Sequence, residues 1–256
     1  MSGAARVSLI DVAAVVIRRD LTRMVRQPTR LVGTLAPALL MWGLLGSGLG
    51  GTFARTGGGG YGSFLGPGMV ALVAMFASIF GAIALIEDKH SGFLQSAMVS
   101  PTPRWMSALA RVCSGVLVAG VQAGLCLMPM GLLGVRAGVV EWMVGALMLV
   151  GMSAGVSGVS LGLAWRVDSV SGFHGVMNAI LMPMWLLSGS FFESESAPLW
   201  LRWVVRINPL SWPIGGLRHA LEDGLGSVTW LEWSGTGVFA AAGVAAAVRV
   251  IGREPR

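Results

Sequence analysis

Residues 67–90 read PGMVALVAMFASIFGAIALIEDKH: no charge from Pro67 to Ile86, then Glu87, Asp88, Lys89 and His90 in succession. Twenty helical residues at about 1.5 Å each cover the roughly 30 Å hydrocarbon core of a bilayer. In that solvent the backbone must satisfy its own hydrogen bonds, which a helix does internally and an open strand does not. The stretch therefore reads as a transmembrane helix that stops at a charged boundary, and it sets the fold class as an all-α polytopic membrane protein.

Similar apolar runs lie on either side, at 31–49, 112–134, 142–165, 172–192 and 234–250, so the expectation is six transmembrane helices. The last run is the weakest, because Glu232 and Arg249 bracket only 16 uncharged residues. It must begin near Thr229 or snorkel its ends, and a five-span reading would leave one terminus outside. The whole composition agrees: of 256 residues, 54% are hydrophobic and 12% charged, about half the roughly 25% charge of soluble domains, and mean hydropathy is +0.74. The 38 glycines suit helices that approach closely in lipid.

Of the 18 basic residues, 13 fall on one side of this topology and five on the other. The positive-inside rule then places both termini in the cytoplasm. The arginines sit at the ends of apolar runs rather than in one patch, which disfavours nucleic-acid binding. Lys89, the only lysine, lacks glycine framing, so the chain has no phosphate-binding loop of its own. The Arg-rich segment before the first run and the lack of a small-residue cleavage site give no removable signal peptide. Cys113 and Cys126 share one run, about 20 Å apart along a helix, and cannot bond to each other within it.

Within residues 1–30, Ile10, Ala13, Ile17, Leu21 and Met24 form an apolar stripe at helical spacing, with Arg19, Arg23 and Arg26 on the opposite face. This is the pattern of an interfacial helix, closed by Pro28. Arg55, Thr56 and Gly57 to Gly60 read as a flexible tether. The external segment 193–227 carries two short helical pieces, Leu199 to Ile207 after Pro198 and Ile214 to Leu225 after Pro213, in the manner of a re-entrant hairpin.

Catalytic and metal signals are poor. Gly155-Val156-Ser157-Gly158 has the form used by rhomboid intramembrane proteases, which makes a serine protease using Ser157 the enzyme alternative. The only H-x-x-x-N, His174 to Asn178, follows that serine, and His174 lies shallower in its own run, a poor geometry for a base. Gly151, Gly155, Gly158 and Gly162 read more simply as a packing face. His90, His174 and His219 form no metal-ligand pair. The core of the runs holds His174 and Asn178 but no Asp, Glu, Lys or Arg, which argues against an ion-coupled transporter.

Two long motifs carry a resemblance. The cytoplasmic loop 87–111 runs Glu87-Asp88-Lys89-His90-Ser91-Gly92-Phe93-Leu94-Gln95-Ser96-Ala97-Met98-Val99-Ser100-Pro101-Thr102-Pro103-Arg104. It is similar to the pattern E-D-R-E-x-G-x-L-x-x-L-x-x-[SA]-P-x-x-R of type-2 ATP-binding cassette exporter permeases, the group of daunorubicin-type drug, nodulation-factor and polysaccharide exporters. The second stretch holds Pro183 with Ser188-Gly189 and Phe192, then Pro198 with Trp200, Asn208-Pro209-Leu210-Ser211-Trp212 and Leu217-Arg218. It resembles that family's P-x-x-x-x-S-G-x-x-F … P-x-W-L … N-P-L-[ST]-[YW] … L-R. Arg26-Gln27-Pro28 is a weaker third match. The chain departs from the pattern at His90 and Ser96, where the family carries acids, and at Gly215, where it often carries aspartate.

The resemblance implies a non-enzymatic permease subunit in a bacterial-type cytoplasmic (inner) membrane, paired with a second copy or a paralogue and driven by a separate cytoplasmic ATPase that holds ATP and Mg. It implies ATPase coupling through Glu87, Asp88, Gly92, Phe93, Leu94, Ser100, Pro101 and Arg104. It also implies contact through the interfacial helix with Arg19, Arg23 and Arg26, and an outer gate of Ser188, Gly189, Phe192, Pro198, Trp200, Asn208 and Pro209. Met75, Phe76, Phe80, Met177 and Met182 would give the path an apolar lining suited to a hydrophobic, amphiphilic or lipid-linked substrate. A purely structural membrane anchor is the non-transporting alternative.

Overall fold

The computed structural model describes residues 8–53, 61–91, 103–132, 137–193 and 197–252. Among them the chain is helical throughout: α1 Leu9–Arg26, α2 Pro28–Phe53, α3 Tyr61–His90, α4 Arg104–Leu132, α5 Val139–Arg166, α6 Val170–Leu186, α7 Leu199–Ile207, α8 Ser211–Glu222 and α9 Trp230–Gly252, with a 3₁₀ turn at Leu225–Ser227. Five stretches are long and apolar enough to cross a membrane, Pro28–Gly48, Tyr61–His90, Arg104–Met128, Val139–Arg166 and Trp230–Gly252. The tether at Arg55 to Gly60 lies outside the described residues.

The run that decides the fold is also the centre of it. From Leu65 to Met75 every side of α3 is buried, because α2, α4, α5, α6 and α8 all pack on it. A helix apolar all round is stable only when surrounded in this way or bathed in lipid. The small-residue face of α5 packs on α9 so closely that a Cβ at Gly158 would collide with the backbone of Gly243. Phe239 covers Gly155, and Thr236 covers Gly151.

Helix ends follow local chemistry. Ser8 caps α1 by accepting from the Ile10 amide, and the Asp11 carboxylate accepts from the Ser8 amide in return. Pro28 then opens α2 at the position where its missing N–H costs nothing.

Several boundaries differ from the sequence expectation: the second span, expected over 67–86, runs from Tyr61 through the four charged and titratable residues to His90, and the second external piece, expected from Ile214 to Leu225, is Ser211–Glu222. Span five, expected over 172–192, is helical only to Leu186, a 17-residue helix. Its last carbonyls take side-chain donors: Ser188 Oγ donates to Trp185 at 2.6 Å and Asn208 Nδ2 to Met184 at 2.6 Å. Such capping ends a helix without loss of hydrogen bonds. The third and last spans, expected from 112 and 234, begin at Arg104 and Trp230. Arg111 and Glu232, read as boundaries, are instead inside helices, where each has partners of opposite charge.

Candidate functional site: an arginine-clasped acidic pair and a capped turn

The C-terminal end of α3 gathers charge from three other helices. Asp88 is 3% exposed, and its Oδ2 lies 2.9 Å from Arg19 Nη1 of α1 and 3.0 Å from Arg111 Nη2 of α4. Arg23 approaches its other oxygen at 3.8 Å. Glu87 takes both carboxylate contacts of Arg30 on α2 at 3.1 Å and a longer one from Arg23 at 3.7 Å. Asp20 closes the group by accepting from Arg19 and from Ser114 Oγ at 2.7 Å.

Burial pulls the Arg19 guanidinium down, but Asp20 and Asp88 outweigh it and its pKa is raised. On the far side of the same end, Lys89 donates to the Trp165 carbonyl and pairs with Asp168 at 3.0 Å. His90 Nε2 lies 2.7 Å from the Asp168 carbonyl. The α3 end is thereby tied to α1, α2, α4 and the loop after α5.

Arg19 and Arg23 thus turn toward the acidic pair and not to the polar face that helical spacing assigns them, while Arg26 is exposed. The reason is electrostatic: two carboxylates at the end of α3 need partners once buried, and these arginines are in reach. Arg104 opens α4 with one guanidinium nitrogen buried and unpartnered among the described residues. Gly92, Phe93, Leu94, Ser100 and Pro101 lie outside the described residues.

About 30 Å away along α3, from Asp88 back to Gly68 at 1.5 Å per residue, a second constellation closes the other end. Gly189 adopts φ +79°, a conformation glycine tolerates without strain. The turn it makes is stitched to α3: Tyr61 donates to the Phe191 carbonyl and Trp185 Nε1 to the Gly68 carbonyl, each at 3.0 Å. A Cβ at Gly68 would lie 2.7 Å from Ser190, so the approach requires glycine. Ser188 and Ser190 share a hydrogen bond at 2.8 Å, and Asn208 Oδ1 accepts from Leu210. Pro198 caps α7, Pro209 lies in the α7–α8 turn, and Phe192 is half-buried. Trp200, Trp203 and Trp230 are 65%, 64% and 81% exposed, the arrangement of an interfacial aromatic belt.

Arg218, quoted in the L-R motif but not singled out, proves central here. Its guanidinium stacks 4.0 Å over the Phe64 ring and donates to the Gly189 carbonyl at 3.1 Å. Glu232 was also missed. Its Oε1 pairs with His219 at 2.8 Å and its Oε2 accepts from the Thr229 amide at 2.8 Å. A Cβ at Gly215 would lie 2.5 Å from Glu232 Oε1. The carboxylate absent from position 215 is therefore supplied by α9, and no spacing rule in α8 could reveal it.

The expected path lining is corrected in part. Met75 and Met177 are interior, 1% and 2% exposed. The exposed residues of α6 between 171 and 180 are instead Ser171, Gly172, His174, Gly175, Asn178, Ala179 and Ile180. Ser157 Oγ is buried with no hydrogen-bond partner among the described residues, so no base activates it in this state.

Comparison with known proteins identifies the family. The profile of the family described as ABC-2 type transporter matches residues 12–221. Nodulation protein J of Rhizobium leguminosarum bv. trifolii is 29% identical over 197 residues, 73% of this chain and 72% of that protein. Nodulation protein J of Neorhizobium galegae is 29% identical over 208 residues, covering 76% and 74%. The match takes in the acidic pair, the Gly189 turn and Arg218 and ends before Glu232, along a chain with five helices long and apolar enough to cross a membrane, and the protein belongs to the ABC-2 type transporter family, as a multi-pass membrane component and not itself a catalyst.

Proposed function

We propose that the chain is the permease subunit of an ATP-binding cassette exporter, moving a hydrophobic, amphiphilic or lipid-linked molecule across the cytoplasmic membrane. Two permeases, identical or paralogous, would flank the path, and a separate cytoplasmic ATPase would hold ATP and Mg. Six spans are counted by including α6, whose 17 residues reach about 25 Å, at the short limit for a crossing helix. Both termini are then cytoplasmic, and α7 and α8 form a re-entrant outer closure over the whole single domain 1–256.

The observation that carries this reading is the clasp of Asp88 and Glu87 by arginines of α1, α2 and α4. It makes α1 and the ends of the spans one rigid floor, so a displacement delivered to α1 or to the loop ending at Arg104 moves the spans together. Gly92, Phe93, Leu94, Ser100 and Pro101 are assigned the ATPase contact. Ser188, Gly189, Phe192, Pro198, Trp200, Asn208 and Pro209 are assigned the outer gate. The polar side of α6 suits the head of an amphiphile and its apolar neighbours the tail.

The test is a mild-detergent pull-down of the tagged chain from its native membrane, with and without Glu87→Ala. Recovery of an ATP-binding cassette ATPase, and transport lowered more than membrane abundance, supports the reading. Recovery of the chain alone while it is folded, or transport and abundance falling equally, refutes coupling at this site.

A further inference from the structure

Between the Gly189 turn, α7, α8 and the start of α9 lies a cavity of about 340 Å³. Among the described residues its lining is rich in cations, with Arg206, Arg218 and His219 beside the carboxylate of Glu232. That carboxylate is already occupied, with one oxygen on His219 and the other on Thr229. Two lining donors have no hydrogen-bond partner among the described residues although both are buried, Arg218 Nε and Ser211 Oγ. A buried donor left unpaired is costly, the more so when charged, and two of them on one cavity wall mark a place where a ligand supplies the acceptors.

The acids that act on Arg218 from elsewhere, Glu193, Glu222 and Asp223, do not line this cavity. Arg202 and Arg206 stand one turn apart on α7, and that helix also exposes Leu199, Trp200, Trp203 and Ile207, with the Arg206 guanidinium 6.0 Å over the Trp203 ring. Cationic donors next to exposed apolar and indole surface match a ligand with an anionic head and an apolar body.

We propose that this cavity is an oxyanion site for the phosphate or carboxylate head of an amphiphile, with Arg218 Nε, Ser211 Oγ and the Arg206 guanidinium as its donors. It rests on the export reading only for its place at the outer end of the path. The site itself belongs to the isolated chain and needs no ATPase.

The experiment uses the purified full chain in a neutral maltoside at fixed ionic strength, reading the thermal midpoint by tryptophan fluorescence. Dihexanoyl phosphatidylglycerol, dihexanoyl phosphatidylcholine and inorganic phosphate are titrated separately. The expected result is a saturable rise with phosphatidylglycerol and none with phosphatidylcholine. Arg206→Gln, whose guanidinium is exposed and holds no helix in place, raises the half-saturating concentration about tenfold, the loss of one charge-assisted hydrogen bond. Ser211→Ala raises it less. Arg218→Gln serves only if it folds, since Arg218 also anchors Gly189. An equal rise with inorganic phosphate would keep the oxyanion site and make a free anion its source. No saturable rise with either anion, an equal rise with phosphatidylcholine, or an unchanged response in Arg206→Gln would overturn the proposal. A failed ATPase pull-down leaves this titration unaffected, so the two readings fail separately.

Discussion

Replacing Asp88 by alanine tests whether the acidic pair holds α1 to the membrane helices. The Asp88 side chain is 5% exposed and its Oδ2 contacts Arg19 and Arg111 at 2.9 and 3.0 Å. Those two guanidinium nitrogens therefore lie within about 6 Å of each other, where like charges repel by about 3 kcal/mol at an effective dielectric near 20. Arg111 is 12% exposed and cannot turn to water. Breaking a buried pair on one side typically costs about 3–5 kcal/mol, and the repulsion puts Asp88→Ala in that range. Glu87, 43% exposed, is a matched control whose loss costs about 0–1 kcal/mol. The assay is the thermal midpoint of the purified chain in neutral detergent, together with protease cleavage of α1. Asp88→Ala should lower the midpoint far more than Glu87→Ala and expose α1 to cleavage. The double change Asp88→Ala with Arg111→Met should recover part of the loss, because the most buried unpaired charge is then gone. Equal midpoints for the two single variants, with no recovery in the double, would refute the clasp.

Other expectations follow from the same contacts. Gly158→Ala drives a methyl into the Gly243 backbone and should cost about 1–3 kcal/mol, whereas at Gly162 the nearest atom is 3.8 Å from a Cβ and the same change should leave the thermal midpoint unmoved. Ser157→Ala removes a buried unpartnered hydroxyl, so stability should hold or rise and transport persist. Complete loss of function in a folded Ser157→Ala chain would instead revive the protease reading. The hydrogen bond to Glu232 raises the His219 pKa above its ordinary 6.5, so the pair stabilises the α8–α9 contact fully below that value and loses its contribution as pH rises through the raised one. A thermal midpoint scanned upward from pH 5 should fall across that window, and His219→Gln should flatten the curve.

Much of the helical plan was legible because lipid imposes a length and a composition that few other environments demand. The apolar run 67–86, the small residues of α5 and the break at Pro28 each act within one stretch of chain. Boundaries shifted where a charge does not end a helix and where, as after Leu186, side-chain donors end one early. Arg111 and Glu232 sit inside helices because Asp88 and His219 neutralise them, and such partners lie 23 and 13 residues away along the chain.

The candidate sites divide along the same line. Glu87, Asp88 and the Ser188-Gly189 turn stand out in the sequence through their motifs, since each sits where a helix must stop. What the motifs do not contain is who answers them: Arg19 and Arg23 turned inward to the acids, Arg218 stacked on Phe64, and Glu232 entering the space that Gly215 leaves open. The sequence by itself determined an all-helical membrane chain with charged helix ends, because hydrophobic length and backbone self-satisfaction are local constraints. Only the tertiary structure decided which charges meet, because the pairing energy of a buried ion depends on the few ångströms between helices and not on any spacing along the chain.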